Sequence, residues 1–177
     1  KLMLLDRVLV LYSRLVRNTL DKDPRRRKEF IRSVYLVVDG NSTKTSTTEV
    51  PEFLFVNGLN FDFVGTKDGR NPFIFTSTPS NLKFFCHNKY QKNAVYYSYI
   101  DNKIQVYDRI SLDKIRVDGV FLDPRVVAET SGLDPLEFMN TDMRIPKDIL
   151  QLIIEYMDSR NVQTKNNKDE VEVKHED

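Results

Sequence analysis

The side chains best suited to chemistry are few in this chain, and their spacing is wrong for it. Two histidines occur, His87 and His175, and one cysteine, Cys86. A Cys–His nucleophile needs thiol and imidazole to face each other, whereas adjacent residues of a strand point to opposite faces. Cys86–His87 therefore reads as a structural or surface pair. Neither histidine has a partner at metal-ligand spacing, and a lone cysteine excludes both an internal disulfide framework and a cysteine-based zinc cluster. It fits a reducing compartment or an assembly made inside a cell. Asp118, Asp123, Asp134 and Asp142 could in principle gather into a carboxylate site holding a divalent metal for phosphoryl chemistry. The preferred reading is plainer: Asp123, Asp134 and Asp148 stand near prolines, where they cap or start helices. No P-loop, dinucleotide fingerprint, nucleophile elbow or His-Glu-x-x-His helix is present, and six glycines are few for a phosphate cradle. The expectation is a non-enzymatic protein, with no cofactor and no metal site.

Charge is the next candidate for function. The 177 residues carry 27 Lys+Arg against 26 Asp+Glu, a net +1 that rules out a simple polycationic DNA coater and an acidic DNA mimic. Along the chain the balance is uneven: +5 over 1–40, −2 over 41–160 and −2 over 161–177. The run Arg25, Arg26, Arg27, Lys28 is a candidate contact for nucleic-acid phosphates or for a protein partner. With exposed aromatics as stacking platforms, it supports an alternative reading, a nucleic-acid-binding β-barrel module. Asp21, Asp23 and Glu29 dilute that field, and aromatics paired across a hairpin are more often core.

Four parts of the chain must position these residues. Residues 1–40 form an N-terminal helical segment with a basic turn. Leu4, Leu5, Val8, Leu11, Tyr12, Leu15 and Val16 recur at helical spacing, with Arg7, Arg14 and Arg17 on the remaining surface. Asp6, Arg7, Ser13 and Arg14 break the stretch Leu2–Val16, which is too short and too charged to span a bilayer and lacks a signal-peptide cleavage site. The chain starts at Lys1 rather than methionine, so a preceding segment is open. Asp21-Lys22-Asp23-Pro24 ends the helix, and the β-branched run Val34–Val38 reads as a strand.

Residues 41–121 form a β-rich body. Its first stretch, 41–49, is small and polar and reads as an exposed loop or a disordered excursion. Thirteen of the nineteen aromatics lie between Phe53 and Tyr107, a density that suits pleated, half-buried surfaces. Phe53/Phe55 and Phe61/Phe63 alternate around Asn57-Gly58, a strong hairpin signal. Val95–Ile100 and Lys103–Tyr107 repeat the pattern around Asp101-Asn102, Phe73–Phe75 and Leu82–Phe85 add short strands, and 111–121 alternates as one long strand. Residues 122–160 form a helical C-terminal part. Asp123-Pro124 opens a helix running to Gly132, and Ile145-Pro146-Lys147-Asp148 opens an amphipathic one ending near Arg160. Residues 161–177 are a polar tail, ordered only on docking. The fold class is α+β: a small antiparallel β-sandwich or barrel flanked by an N-terminal helix and a C-terminal amphipathic helix.

The stretch Ile115-Arg116-Val117-Asp118-Gly119-Val120-Phe121-Leu122-Asp123-Pro124, followed by Asp142-Met143-Arg144-Ile145-Pro146 and the last helix, carries more than composition. It resembles the ring proteins, the head-to-tail connectors or neck adaptors, of crAss-like tailed bacteriophages. There a strand reading I-x-V-x-G-[IV]-F-x-D-P precedes an Asp-rich connector and a proline-started helix. Lys147 departs from that pattern, in which an apolar residue follows the proline. The resemblance implies a virion structural protein forming a homo-oligomeric ring, a dodecamer, in the neck or tail. Its partners would be copies of itself, the portal protein, neighbouring tail rings and the viral DNA passing through the lumen, with no membrane and with assembly in the host cytoplasm. The residues expected at protein interfaces are Ile149, Ile153, Tyr156, Met157, Val171 and Val173.

Overall fold

A long amphipathic helix, α1 (Leu2–Lys22), opens the chain, and its apolar stripe determines how it packs. Leu9, Tyr12, Val16 and Leu20 are buried, three to four residues apart, so they occupy one face. The helix stops where the chain supplies a new cap. The Asp23 carboxylate accepts a hydrogen bond from the Arg25 N–H at 3.1 Å, and Pro24 opens a 3-10 turn (Pro24–Arg26) that leads into the one-turn helix α2 (Arg27–Phe30). This computed structural model describes residues 2–41, 43–54, 61–81, 94–107, 111–133 and 145–159.

Seven strands follow: β1 (Arg32–Asp39), β2 (Thr43–Ser46), β3 (Phe63–Thr66), β4 (Ile74–Phe75), β5 (Tyr96–Ile100), β6 (Lys103–Tyr107) and β7 (Lys114–Gly119). They form one sheet in the order β3-β7-β1-β2-β6-β5-β4, antiparallel at every pair except β4–β5. The two ends of the sheet nearly meet. The chain entering β4 lies against β3, with a bridge between Gly65 and Pro72 and a 2.7 Å bond from the Phe73 N–H to the Val64 carbonyl. A Cβ on Gly65 would collide with the Asn71 carbonyl and the Phe63 ring, so this close approach needs glycine. Closure of this kind leaves few unpaired edges, and it decides for a barrel-like sheet over a sandwich.

The β5–β6 hairpin turns at Asp101-Asn102, both at positive φ, as the sequence leads one to expect. The polar stretch 41–49 is a correction: it is no exposed loop but carries β2, mid-sheet between β1 and β6. Its inward positions are Lys44 and Ser46 rather than apolar residues, which hides the alternation. Both are satisfied locally. The Lys44 ammonium donates to the Asn41 carbonyl at 3.1 Å; the Ser46 hydroxyl donates to the Thr48 carbonyl at 2.8 Å and accepts the Ile104 N–H at 3.2 Å. The expected Phe53/Phe55–Phe61/Phe63 hairpin also differs. Phe53 bridges Phe121 and Phe63 pairs with Asp118, so among the described residues both lie along β7 and its continuation. Residues 55–60, with their Asn57-Gly58, and the 82–85 strand fall outside the described residues.

Two apolar cores result. The barrel interior holds Val34, Leu36, Ile104, Val106, Ile115 and Val117, all fully buried, with Phe53 and Phe61 at 4.6 Å and Tyr99 edge-on to both. Helix α3 (Pro124–Ser131) packs along β1, adds Val127 and Ala128 to this core, and accepts the Tyr35 N–H on Ser131 Oγ at 3.3 Å. Asp123 caps its start, and Gly132, at φ +74, ends it. The second core joins α1, α2 and α4 (147–159) to the barrel through Leu54 and Val120.

Candidate functional site

The basic turn is split by its surroundings. Arg26 donates to Asp148 Oδ2 and to Glu29 Oε2, both at 2.7 Å, tying α2 to the first turn of α4. The hydrogen bond to Asp148 and then that to Glu29 hold the Arg26 guanidinium well above its ordinary pKa, and the same contact lowers the Asp148 carboxyl. Arg27 grips Asp62 through two 2.8 Å bonds, and its Nη1 is buried without an acceptor among the described residues. Among the described residues, only Arg25 and Lys28 of the run remain exposed without such a tie. Two of the four cations expected to meet phosphates or a partner are thus committed to holding the fold.

The aromatics are divided in the same way. Phe53, Phe61, Tyr96 and Tyr97 are buried, whereas Phe75, on the edge strand β4 beside exposed Ile74, is half exposed and packs edge-on against Tyr97 at 5.5 Å. Among the described residues, five of the aromatics imagined as stacking platforms, Phe53, Phe61, Phe73, Tyr96 and Tyr97, are core.

Helix α4 is apolar over more than one partner can cover. Ile149 and Ile153 are buried against α1, with Met157 half-buried beside them. These three of the expected interface residues lie inside the chain's own second core. At 100° per residue, Leu150 and Ile154 fall on one shoulder of that stripe and Leu152 and Tyr156 on the other. All four are more than 40 % exposed. Of these four, the expected interface set named Tyr156 alone. Val171 and Val173 lie outside the described residues.

Two of the aspartates imagined as a metal site, Asp118 and Asp123, have other work. Asp118 takes two 2.8 Å bonds from Arg116 on the outer face of β7, and that hydrogen bonding raises the Arg116 pKa. Asp123 accepts the Arg125 N–H and its guanidinium, both at 2.8 Å, as the cap of α3. Arg125 reaches on to Asp6 of α1 at 3.1 Å. Among the described residues no three His, Cys, Asp or Glu side chains come together as metal ligands. Asp134, Asp142, Cys86, His87 and His175 lie outside the described residues.

Comparison with known families supplies what the chemistry withholds. The family described as phage tail ring protein 2 matches residues 20–177, from the last three residues of α1 through the sheet to the end of the chain. The chain belongs to this family. It is therefore a structural component of phage tails, and its place is in the virion. The match includes the strand, turn and helix start around Ile115–Pro124 that carried the resemblance. No curated protein matches the chain. No helix among the described residues is long and apolar enough to cross a membrane.

Proposed function

We propose that this tail ring family member works by assembly alone, without catalysis, as one subunit of a closed homo-oligomeric ring, a dodecamer. The ring would stack between the portal and the next tail ring, leave a lumen for genome passage, and form in the host cytoplasm. The observation that supports this reading is the pair of apolar shoulders on α4. Leu150, Leu152, Ile154 and Tyr156 stay exposed on a helix whose inner face is already used. Each shoulder, an i, i+4 pair of exposed apolar side chains, is a patch of the kind that marks a protein interface. Two different shoulders on one helix suit a head-to-tail contact, the type that closes into rings. The α4 shoulders and the barrel would seal the ring laterally, and the portal and the neighbouring ring would stack on its two axial faces.

Native mass measurement of the purified protein tests the reading. A large closed oligomer is expected, and the double variant Leu150→Asp/Ile154→Asp is expected to reduce it to single chains while its circular dichroism stays unchanged. A single-chain mass for the unaltered protein across micromolar concentrations overturns the ring.

A further inference from the structure

Besides Arg25 and Lys28 of the basic run, the described structure leaves positive charge untied on α1. Arg14 and Arg17, on the outer face of α1, are exposed and hold no hydrogen bond or carboxylate among the described residues. By contrast Arg26, Arg27, Arg70, Arg116 and Arg125 each hold a carboxylate. The two arginines line a groove between α1 and the end of the barrel, together with Leu9, Val10, Glu52 and Leu122. Val10 is 69 % exposed there, the most exposed of the large apolar side chains among the described residues. Ser13, Asp6, Asp123 and Arg125 complete the lining, so acidic and basic side chains balance. Such a groove attracts no polyanion. It offers an apolar floor, two cations one helical turn apart and an isolated carboxylate. Its complement is an extended peptide with apolar residues at alternate positions, acids between them and a flanking base.

This chain contains such a peptide. Residues 169–174 read Asp-Glu-Val-Glu-Val-Lys. In extended form Val171 and Val173 share one face, and Glu170 and Glu172 share the other, about 6.6 Å apart. Arg14 and Arg17, at i and i+3 of a helix, are separated by about 5–6 Å between Cβ atoms. From the ring reading, on which this rests, we infer that residues 169–174 of one subunit bind the α1 groove of its neighbour. The valines cover Val10 and Leu122, Glu170 and Glu172 meet Arg17 and Arg14, and Lys174 faces Glu52. The ten residues from Ser159 to Asp169 give an arm of up to about 33 Å. The α1 wall, up to residue 19, lies outside the family match, so this receptor groove is read from the chain's own structure.

Two full-length variants test it when co-expressed, each with Cys86→Ser: one carries Val10→Cys, the other Val173→Cys. Under mild oxidation the expected result is a disulfide between residues 10 and 173 of different chains, identified by peptide mass. Its yield should fall at least fivefold with Arg14→Glu/Arg17→Glu and recover when Glu170→Arg/Glu172→Arg is added on the arm. Ile100→Cys in place of Val10→Cys is the exposed-site control. A closed oligomer in which the 10–173 link forms no better than this control overturns the arm and leaves the ring. A single-chain native mass overturns the ring reading, and the arm with it. Salt-dependent binding of duplex DNA that is lost with Arg14→Glu/Arg17→Glu, with no link formed, overturns the arm in favour of phosphate contact.

Discussion

Ile153 and Ile154 are neighbours of the same type on the same helix, yet they should behave oppositely on truncation. Ile153 is 5 % exposed and sits between α1 and α4, whereas Ile154 is 51 % exposed. Changing either to alanine removes three carbons and gains about 0.4 kcal/mol of helix propensity. For Ile153 the lost transfer energy is about 2.4 kcal/mol, and the cavity left among Tyr12, Val16 and Leu20 brings the net cost to about 3 kcal/mol. For Ile154 half of the side chain is already in water, so the net cost stays below about 1 kcal/mol. In a domain of this size that is a fall in Tm of about 6–12 °C against one below about 4 °C. Thermal unfolding followed by circular dichroism, at a dilution where Tm no longer depends on concentration, separates the two. The assembly should show the reverse order, with Ile154→Ala weakening the native oligomer more than Ile153→Ala at matched folded fraction. Equal losses of Tm for the two variants would refute the assignment of inner and outer faces.

Three further outcomes follow from the same geometry. Ser46→Ala should cost about 1–3 kcal/mol in urea unfolding and speed hydrogen exchange at Ile104, whose buried N–H loses its acceptor; an unchanged Ile104 exchange rate argues against β2 as placed. Asp123→Ala should cost about 1 kcal/mol through loss of the α3 cap, with Asp123→Asn recovering most of it; equal losses would show that the ion pair with Arg125, not the cap, matters. Burial pushes the Tyr97 hydroxyl up to about 12, so the unfolded chain releases this proton near pH 10 while the fold retains it. Stability is therefore untouched below pH 10 and falls by up to about 2–3 kcal/mol as pH rises from about 10 to 12. Tyr97→Phe should flatten that decline in an alkaline unfolding series, and an identical slope in both proteins would contradict it.

Several parts of this protein are legible in the chain alone because their causes are local. The α1 stripe, the Asp-Pro starts of the 3-10 turn and of α3, the Gly132 stop and the Asp101-Asn102 turn each follow from a few neighbouring residues and their preferred backbone angles. The poverty of catalytic groups is likewise visible as residue types and spacing, and the stretch Ile115–Pro124 points to the family. What the tertiary structure decided is non-local. Polar β2 is a central strand because β1 and β6 supply its backbone partners, and its buried Lys44 and Ser46 find acceptors or donors on main chain close by. Arg26 and Arg27 are spent because Asp148 and Asp62, remote in sequence, come within 2.8 Å, while Arg14 and Arg17 meet no carboxylate among the described residues. The periodicity of α4 announces an apolar arc, but only the width of α1 against it divides that arc into a buried stripe and two exposed shoulders. Local backbone preference specifies elements one at a time. Which charge is neutralised and which apolar face stays open depends on what the fold brings to each from elsewhere in the chain.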